Sequence, residues 1–202
     1  MPHKLEIPKT TTLIAVSKKQ PLEKIHAALK DGQRCFGENR VQEAYQHWEN
    51  LQGDYADLDL HLIGPLQSNK AVDAVQLFDV IQTLDRKKIV DACANEEKKQ
   101  GRKLKYFIQV NTGEEPQKSG VLPVDVDDLY HYANDKLDVV GLMCIPPQDE
   151  APGLHFALLR KLGKKLNLDQ LSMGMSADYK MALKFGATHV RIGSAFFGPR
   201  TQ

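Results

Sequence analysis

Leu171-Ser172-Met173-Gly174-Met175-Ser176 and, one unit later, Val190-Arg191-Ile192-Gly193-Ser194-Ala195 are the stretches on which the reading of the fold turns. Each starts as a short apolar strand, breaks at glycine and reaches a serine. Between them, Ala177 to Phe185 carries a helical apolar repeat, Met181, Ala182 and Phe185, closed by Gly186. Strand, helix and strand at this spacing form a parallel βαβ unit. The same unit recurs toward the N-terminus. Strand candidates are Thr12–Ser17, Arg34–Gly37, Leu60–Gly64, Asp79–Leu84, Tyr106–Asn111, Val139–Ile145, Gln170–Met173 and His189–Ile192. Helical periodicity fills Pro21 to Lys30, Val41 to Leu51, Asp85 to Lys99, Val124 to Ala133 and His155 to Leu166. Eight strands alternating with helices, in even composition and with no linker, predict one α/β domain over residues 1–202. A closed (β/α)8 barrel is favoured over an open doubly wound sheet.

Two features sit awkwardly with a full barrel. The 202 residues fall short of the roughly 250 typical of the fold. Residues 1–11 hold two prolines and a threonine run, and only Ser194–Gln202 follow the last strand. One position in the outer ring of helices is therefore expected to be empty or partly covered.

Composition narrows the function classes. With 42% hydrophobic and 26% charged residues the chain can build a sizeable core, and a formal net charge of +1 gives no electrostatic case for nucleic acid or an anionic membrane. No apolar run approaches the roughly 20 residues that span a bilayer. Met1-Pro2-His3-Lys4-Leu5-Glu6 lacks the apolar stretch of a signal peptide. Cys35, Cys93 and Cys144 are odd in number and widely spaced, which predicts reduced thiols, a cytoplasmic location and no metal site. Cys35 and Cys144, in apolar surroundings, read as core filler.

A barrel carries its chemistry at the carboxyl ends of its strands. Lys18 stands there, after Leu13-Ile14-Ala15-Val16-Ser17. Half sheltered, its ammonium form is poorly solvated, so a lowered pKa is predicted, and such a lysine can form an imine with an aldehyde. The plainer reading is a solvated lysine like its neighbour Lys19. Ser176 reads as a helix N-cap, with Asp178 in the first turn. Gly193-Ser194 follows the eighth strand, and loops after strands seven and eight are where such barrels bind phosphate; the plainer reading is two serine caps and a turn glycine. Arg191 shares a face with His189 and Gly193. Buried in the barrel it needs an acceptor, either a barrel carboxylate or the ring nitrogen or anionic group of a ligand. Asn39 and Asp85 read first as N-caps, and His61 as a satisfied core histidine.

Taken together these segments resemble one family, the pyridoxal phosphate homeostasis proteins, related to the N-terminal barrel of alanine racemase. The resemblance runs through nearly the whole chain. It is carried by Ala15-Val16-Ser17-Lys18, Phe36-Gly37-Glu38-Asn39, the run Ile63-Gly64-Pro65-Leu66-Gln67-Ser68-Asn69-Lys70, Leu84-Asp85-Arg86, Lys118-Ser119-Gly120, Gly141-Leu142-Met143 and the two stretches quoted first. It implies a single (β/α)8 TIM barrel of pyridoxal phosphate fold type III. It implies a pyridoxal 5′-phosphate-binding protein of intracellular vitamin B6 homeostasis, holding the cofactor as a Lys18 aldimine, without established catalysis or catalytic residue. Ser176, Gly193 and Ser194 would cradle the phosphate and Arg191 would face the pyridine nitrogen. Asn39, Ile63, Thr83 and Met173 correspond to positions lining the cofactor. Small amino acids are implied partners at the same lysine.

The chain departs from this pattern in lacking a helix before the first strand and in having Leu60 where the family has tryptophan. The apolar stripe so exposed would be covered by a second subunit or by residues 1–11, so a monomer or weak dimer is expected. The alternative activity is an amino-acid racemase, which needs two opposed bases. Lys18 offers one. In alanine racemase the other is a tyrosine of a second domain, whereas Tyr45, Tyr55, Tyr106, Tyr130, Tyr132 and Tyr179 fall on expected helices, loops or strand starts.

Overall fold

The structure is a computed structural model and describes residues 5–51 and 53–198. Its strands are β1 (Thr12–Val16), β2 (Cys35–Glu38), β3 (Asp59–Leu62), β4 (Val80–Leu84), β5 (Lys105–Val110), β6 (Asp138–Cys144), β7 (Gln170–Met175) and β8 (His189–Ile192). Each is followed by a helix: α1 (Leu22–Lys30), α2 (Val41–Trp48), α3 (Ala71–Leu77), α4 (Lys87–Gln100), α5 (Val126–Asn134), α6 (Pro152–Lys165), α7 (Tyr179–Lys184) and α8 (Ser194–Phe197). All neighbouring strands pair in parallel, and β8 closes on β1 through Thr12↔His189 to Ala15↔Ile192, giving the expected (β/α)8 barrel.

Alternation along the strands builds two apolar layers. Phe36, Leu60, Leu62 and Ile81 point outward to the helices; Phe36 rests on Trp48 of α2 with ring centroids 4.7 Å apart. Val80, Phe107 and Met143 form a smaller cluster apart from that layer. The longer helices turn a 3.6-period stripe to the strands, such as Ile25, Ala28 and Leu29 on α1 and Val41, Ala44 and Trp48 on α2. Proline at the first position of α6 fits a site where an N–H has no helical partner. Leu22, at the start of α1, lies outside that buried set and is 41% exposed.

Beside β8 and β1 the described residues fill the outer ring without a long helix. Leu5 and Ile7 pack against the core, Thr11 Oγ1 donates to the Ala187 carbonyl at 3.3 Å, and Phe196 and Phe197 of α8 close over the same layer. Lys24 Nζ ties α1 to α8 by donating to the Phe197 carbonyl at 3.1 Å. Among the expected covers of the stripe, the described part of residues 1–11 therefore supplies apolar contact; residues 1–4 lie outside the described residues.

Two irregularities shape the upper mouth. In β4, Ile81 and Leu84 face Tyr106 and Ile108, so β4 carries one extra residue. In β7, Ser172 and Met175 face His189 and Arg191, again one residue in excess. Bulges of this kind re-aim side chains at barrel rims. Gly174 sits in the second bulge with φ +94°, and a Cβ there would stand 2.6 Å from the Ala182 Cβ of α7. Both the backbone angle and the contact require glycine.

Candidate functional site

The carboxyl ends of the strands are tied into a continuous rim. Ser17, next after β1, bonds through its N–H to the Gly37 carbonyl at 3.0 Å and through its hydroxyl to Glu38 Oε1 at 2.7 Å. The turn after β3 closes on the turn after β2: a Cβ on Gly64 would lie 2.2 Å from the Asn39 carbonyl oxygen, so only glycine permits the approach. Arg86 donates to the Leu66 carbonyl at 3.3 Å, joining the loops after β3 and β4. The loops after β7 and β8 meet where the Ala195 N–H donates to Ser176 Oγ at 3.4 Å. The turn after β8 returns to β1, where a Cβ on Gly193 would lie 3.6 Å from the Val16 Cβ.

This rim gathers the predicted site residues at one mouth. Lys18, Asn39, Ser176 and Gly193 are half-buried on it and Ser194 is exposed; Ile63, Thr83, Met173 and Arg191 are buried beneath. Thr83 is 1% exposed, and its hydroxyl has no hydrogen-bond partner among the described residues. A groove of about 600 Å³ opens beside Asn39 between the loops, with Arg40, Lys70 and Arg86 on its walls.

The local readings need correction. Ser176 does not cap α7, which starts at Tyr179 behind Asp178; Asp178 Oδ1 accepts the Met175 N–H at 2.6 Å, leaving Ser176 to bind the β8 loop. Asn39 and Asp85 are not caps either, because α2 and α4 begin one residue later than a cap at those positions allows, after Arg40 and Arg86. Asp85 pairs with Arg86 at 2.5 Å, and burial lifts its carboxyl above the ordinary range against that pull. Cys35 is no core filler: Phe36 takes the outward direction, so Cys35 faces the lumen at the opposite mouth.

Arg191 is held by neutral groups. Its Nη1 donates to Ser172 Oγ at 2.7 Å and its Nη2 to the Cys144 carbonyl at 2.8 Å. The Ser172 hydroxyl donates to Gln82 Oε1 at 2.6 Å, and Gln82 Nε2 meets His61 Nδ1 at 2.8 Å. His61 Nε2 lies 3.0 Å from Asp59 Oδ2. A carboxylate only accepts, so Nε2 carries the proton and Nδ1 accepts from Gln82. The result is a one-directional chain, Arg191 to Ser172 to Gln82 to His61 to Asp59, across the barrel interior. Burial lowers the pKa of Arg191 from its ordinary value. Burial pushes the Asp59 carboxyl up, but hydrogen bonds from His61 and Cys35 outweigh it and hold the group below the usual range. His189, whose ring edge meets Phe107, is pushed down to about 4 by burial and by His61.

Sequence reasoning assigned no role to Glu38, Gln82 or Ser172. Glu38 is fully buried and accepts from Ser17, from His47 Nδ1 at 2.8 Å and from Trp48 Nε1 at 3.1 Å, fixing the residue next to Lys18. The available signal was a polar residue inside an apolar strand, as in Val80-Ile81-Gln82-Thr83-Leu84.

Comparison with known proteins agrees with this architecture. The profile of the alanine racemase N-terminal domain matches residues 4–201. The pyridoxal phosphate homeostasis protein of Pasteurella multocida is 40% identical over 200 residues, 93% of this chain and 86% of that protein. PipY of Synechococcus elongatus, solved without pyridoxal phosphate, superposes with a TM-score of 0.90 at 38% identity, covering 96% of this chain and 95% of that one; its structure with pyridoxal phosphate bound gives 0.86 at 36% identity with the same coverage. An alanine racemase of Clostridium difficile shares the fold, with a TM-score of 0.75 at 13% identity over 97% of this chain and 54% of its own. Within the alanine racemase N-terminal domain family, the chain belongs to the pyridoxal phosphate homeostasis proteins.

Proposed function

We propose that this protein binds pyridoxal 5′-phosphate at the carboxyl mouth of the barrel and serves vitamin B6 homeostasis by holding the cofactor without turning over a substrate. The observation that supports it most is a family member, 36% identical over 96% of this chain, solved in the same fold with pyridoxal phosphate. The residues here fit that ligand. A half-buried lysine stands on the rim, and the buried Thr83 hydroxyl below it lacks a partner among the described residues. The loops after β7 and β8 are joined by Ser176, with an exposed serine opening α8.

When bound, the cofactor supplies an aldehyde carbon and an electron-accepting ring. Lys18 offers its amine to that carbon. Ser176, Gly193 and Ser194 would hold the phosphate through hydroxyl and backbone N–H groups. Arg191, fixed by Ser172 and the Cys144 carbonyl, would offer a permanently charged donor to the ring nitrogen. A cation there would disfavour protonation of that nitrogen and make the ring a weaker electron sink than a carboxylate would. Asn39, Ile63 and Met173 give the mouth its walls.

Purified protein mixed with pyridoxal phosphate is expected to gain an absorption band at the edge of the visible, and borohydride is expected to fix the added mass on the peptide holding Lys18. Lys18→Ala should lose both signals. A full band in that variant would refute the lysine assignment, and no band in the wild type would refute the binding itself.

A further inference from the structure

The amino mouth of the barrel, opposite Lys18, holds a second constellation. The register of β2 on β3 sets Cys35 beside Asp59, and the period of two places His61 on the same inner face one step further in. A thiol sulfur, a carboxylate oxygen and an imidazole nitrogen, one from each, lie within 4.8 Å of one another. His61 Nε2 and Asp59 Oδ2 are already 3.0 Å apart. Ligands around a tetrahedral zinc stand roughly 3.3–3.7 Å from each other, so closing this trio needs movements of about 1 Å.

We propose that Cys35, Asp59 and His61 form a binding site for a divalent transition-metal ion of the zinc type, with its fourth position open to water. The donor set selects the class: thiolate and imidazole favour zinc or cobalt, whereas magnesium and calcium take oxygen. Two of the ligands sit on paired strands, the most rigid part of the barrel, and the third is two residues along the same strand. An entry path exists, since the Asp59 side chain is 45% exposed and Cys35 is half-buried, while His61 is anchored inside. His61 is also oriented from behind, its Nδ1 meeting the Gln82 carboxamide at 2.8 Å. A metal on Nε2 moves the ring proton to Nδ1, and the carboxamide meets that change by turning its oxygen to the ring. On binding, the Cys35 sulfur takes the metal and its proton passes to solvent, with no change of oxidation state. The ion would pin β2 to β3 at the end of the barrel remote from the cofactor.

Cobalt and zinc are the probes, added to metal-free protein. The expected result is one Co²⁺ per chain, with a sulfur-to-cobalt band in the near ultraviolet and the visible bands of a tetrahedral site, both removed by Zn²⁺. Cys93 and Cys144 are fully buried, so the sulfur band reports Cys35. Cys35→Ser should abolish that band, and Asp59→Asn should weaken zinc, measured by calorimetry, about 10-fold or more. Absence of a sulfur band in wild-type protein with excess cobalt overturns the site, and this arm needs no variant to fold. Unchanged zinc affinity in both folded variants overturns it equally. Each of these results is independent of pyridoxal phosphate binding, because the titration is made without it.

Discussion

Arg191 brings a permanent charge into a barrel lumen, 3% exposed, and rests on a serine hydroxyl and a carbonyl. Its nearest route to negative charge in the hydrogen-bond chain runs through Ser172, Gln82 and His61 to Asp59. Gln82 and His61 each accept and donate through one planar group, and Gln82 carries the direction set at Asp59 from His61 on to Ser172. Gln82→Leu leaves the Ser172 hydroxyl and His61 Nδ1 facing an apolar side chain. Stranded buried polar groups cost about 1–3 kcal/mol. The expected outcome is a loss of that order in urea-unfolding free energy for cofactor-free protein; a loss below about 0.5 kcal/mol would show that the chain does not hold the barrel. The positions of Lys18 after β1 and of Arg191 inside the barrel were legible in the sequence, because a long cation at the end of or inside an apolar strand is conspicuous. The contacts of Gln82, Ser172 and Glu38 were not, because they depend on which strand residues face each other, and register does not show in a single strand's pattern. Cys35 was misread for the same reason: only the pairing with Asp59 reveals its surroundings.

At the scale of elements, α2 and β2 meet through one buried carboxylate. The last turn of α2 presents His47 and Trp48 to Glu38 at the end of β2. The hydrogen bond to Glu38 raises the pKa of His47, against a smaller lowering by burial. A histidine whose folded value lies above its unfolded 6.5 binds its proton more tightly when folded. Its contribution to stability is therefore complete below about pH 6.5 and is lost as pH rises through the raised folded value. Urea midpoints of the wild type should fall between about pH 6 and pH 9, and His47→Gln should flatten that slope. An equal slope in the variant would place the pH dependence elsewhere. Element identity was readable here from period alone, as β8 shows by matching its expected bounds and α2 by starting at Val41. Ends were less so: α2 stops at Trp48 because the chain turns, with the Leu51 N–H bonded to the Trp48 carbonyl. The seven residues of α3, behind a short 3-10 turn, are too few to display a period.

The whole molecule bears on whether bound cofactor reacts. Inverting an α-carbon takes a proton from one face and returns it to the other, so a base must stand opposite Lys18. Fold likeness to alanine racemase, at 13% identity, shares the barrel and assigns no residue here as that base. Tyr130 lies on α5, away from the strand ends, and the other five tyrosines are engaged elsewhere. Tyr106, at the foot of β5, donates to Glu97, and burial drives its phenol far above the ordinary range. Tyr45 bonds across to Gln76, Tyr132 to Asp91, and Tyr55 lies under Arg34. Tyr179, the one nearest a strand's carboxyl end, is buried where α7 packs on Gly174. On the proposed placement of Arg191 at the ring nitrogen, which would weaken the ring as an electron sink, cofactor-loaded protein incubated with L-alanine or L-serine should form no D-isomer beyond a control of free pyridoxal phosphate, as read by chiral chromatography. Formation at about 1 s⁻¹, an ordinary enzymatic rate, would require a second base and overturn the holding role. If D-isomer did form, Lys18→Ala would separate the cases: loss of activity would assign one face to the rim lysine and leave the base on the opposite face to be found.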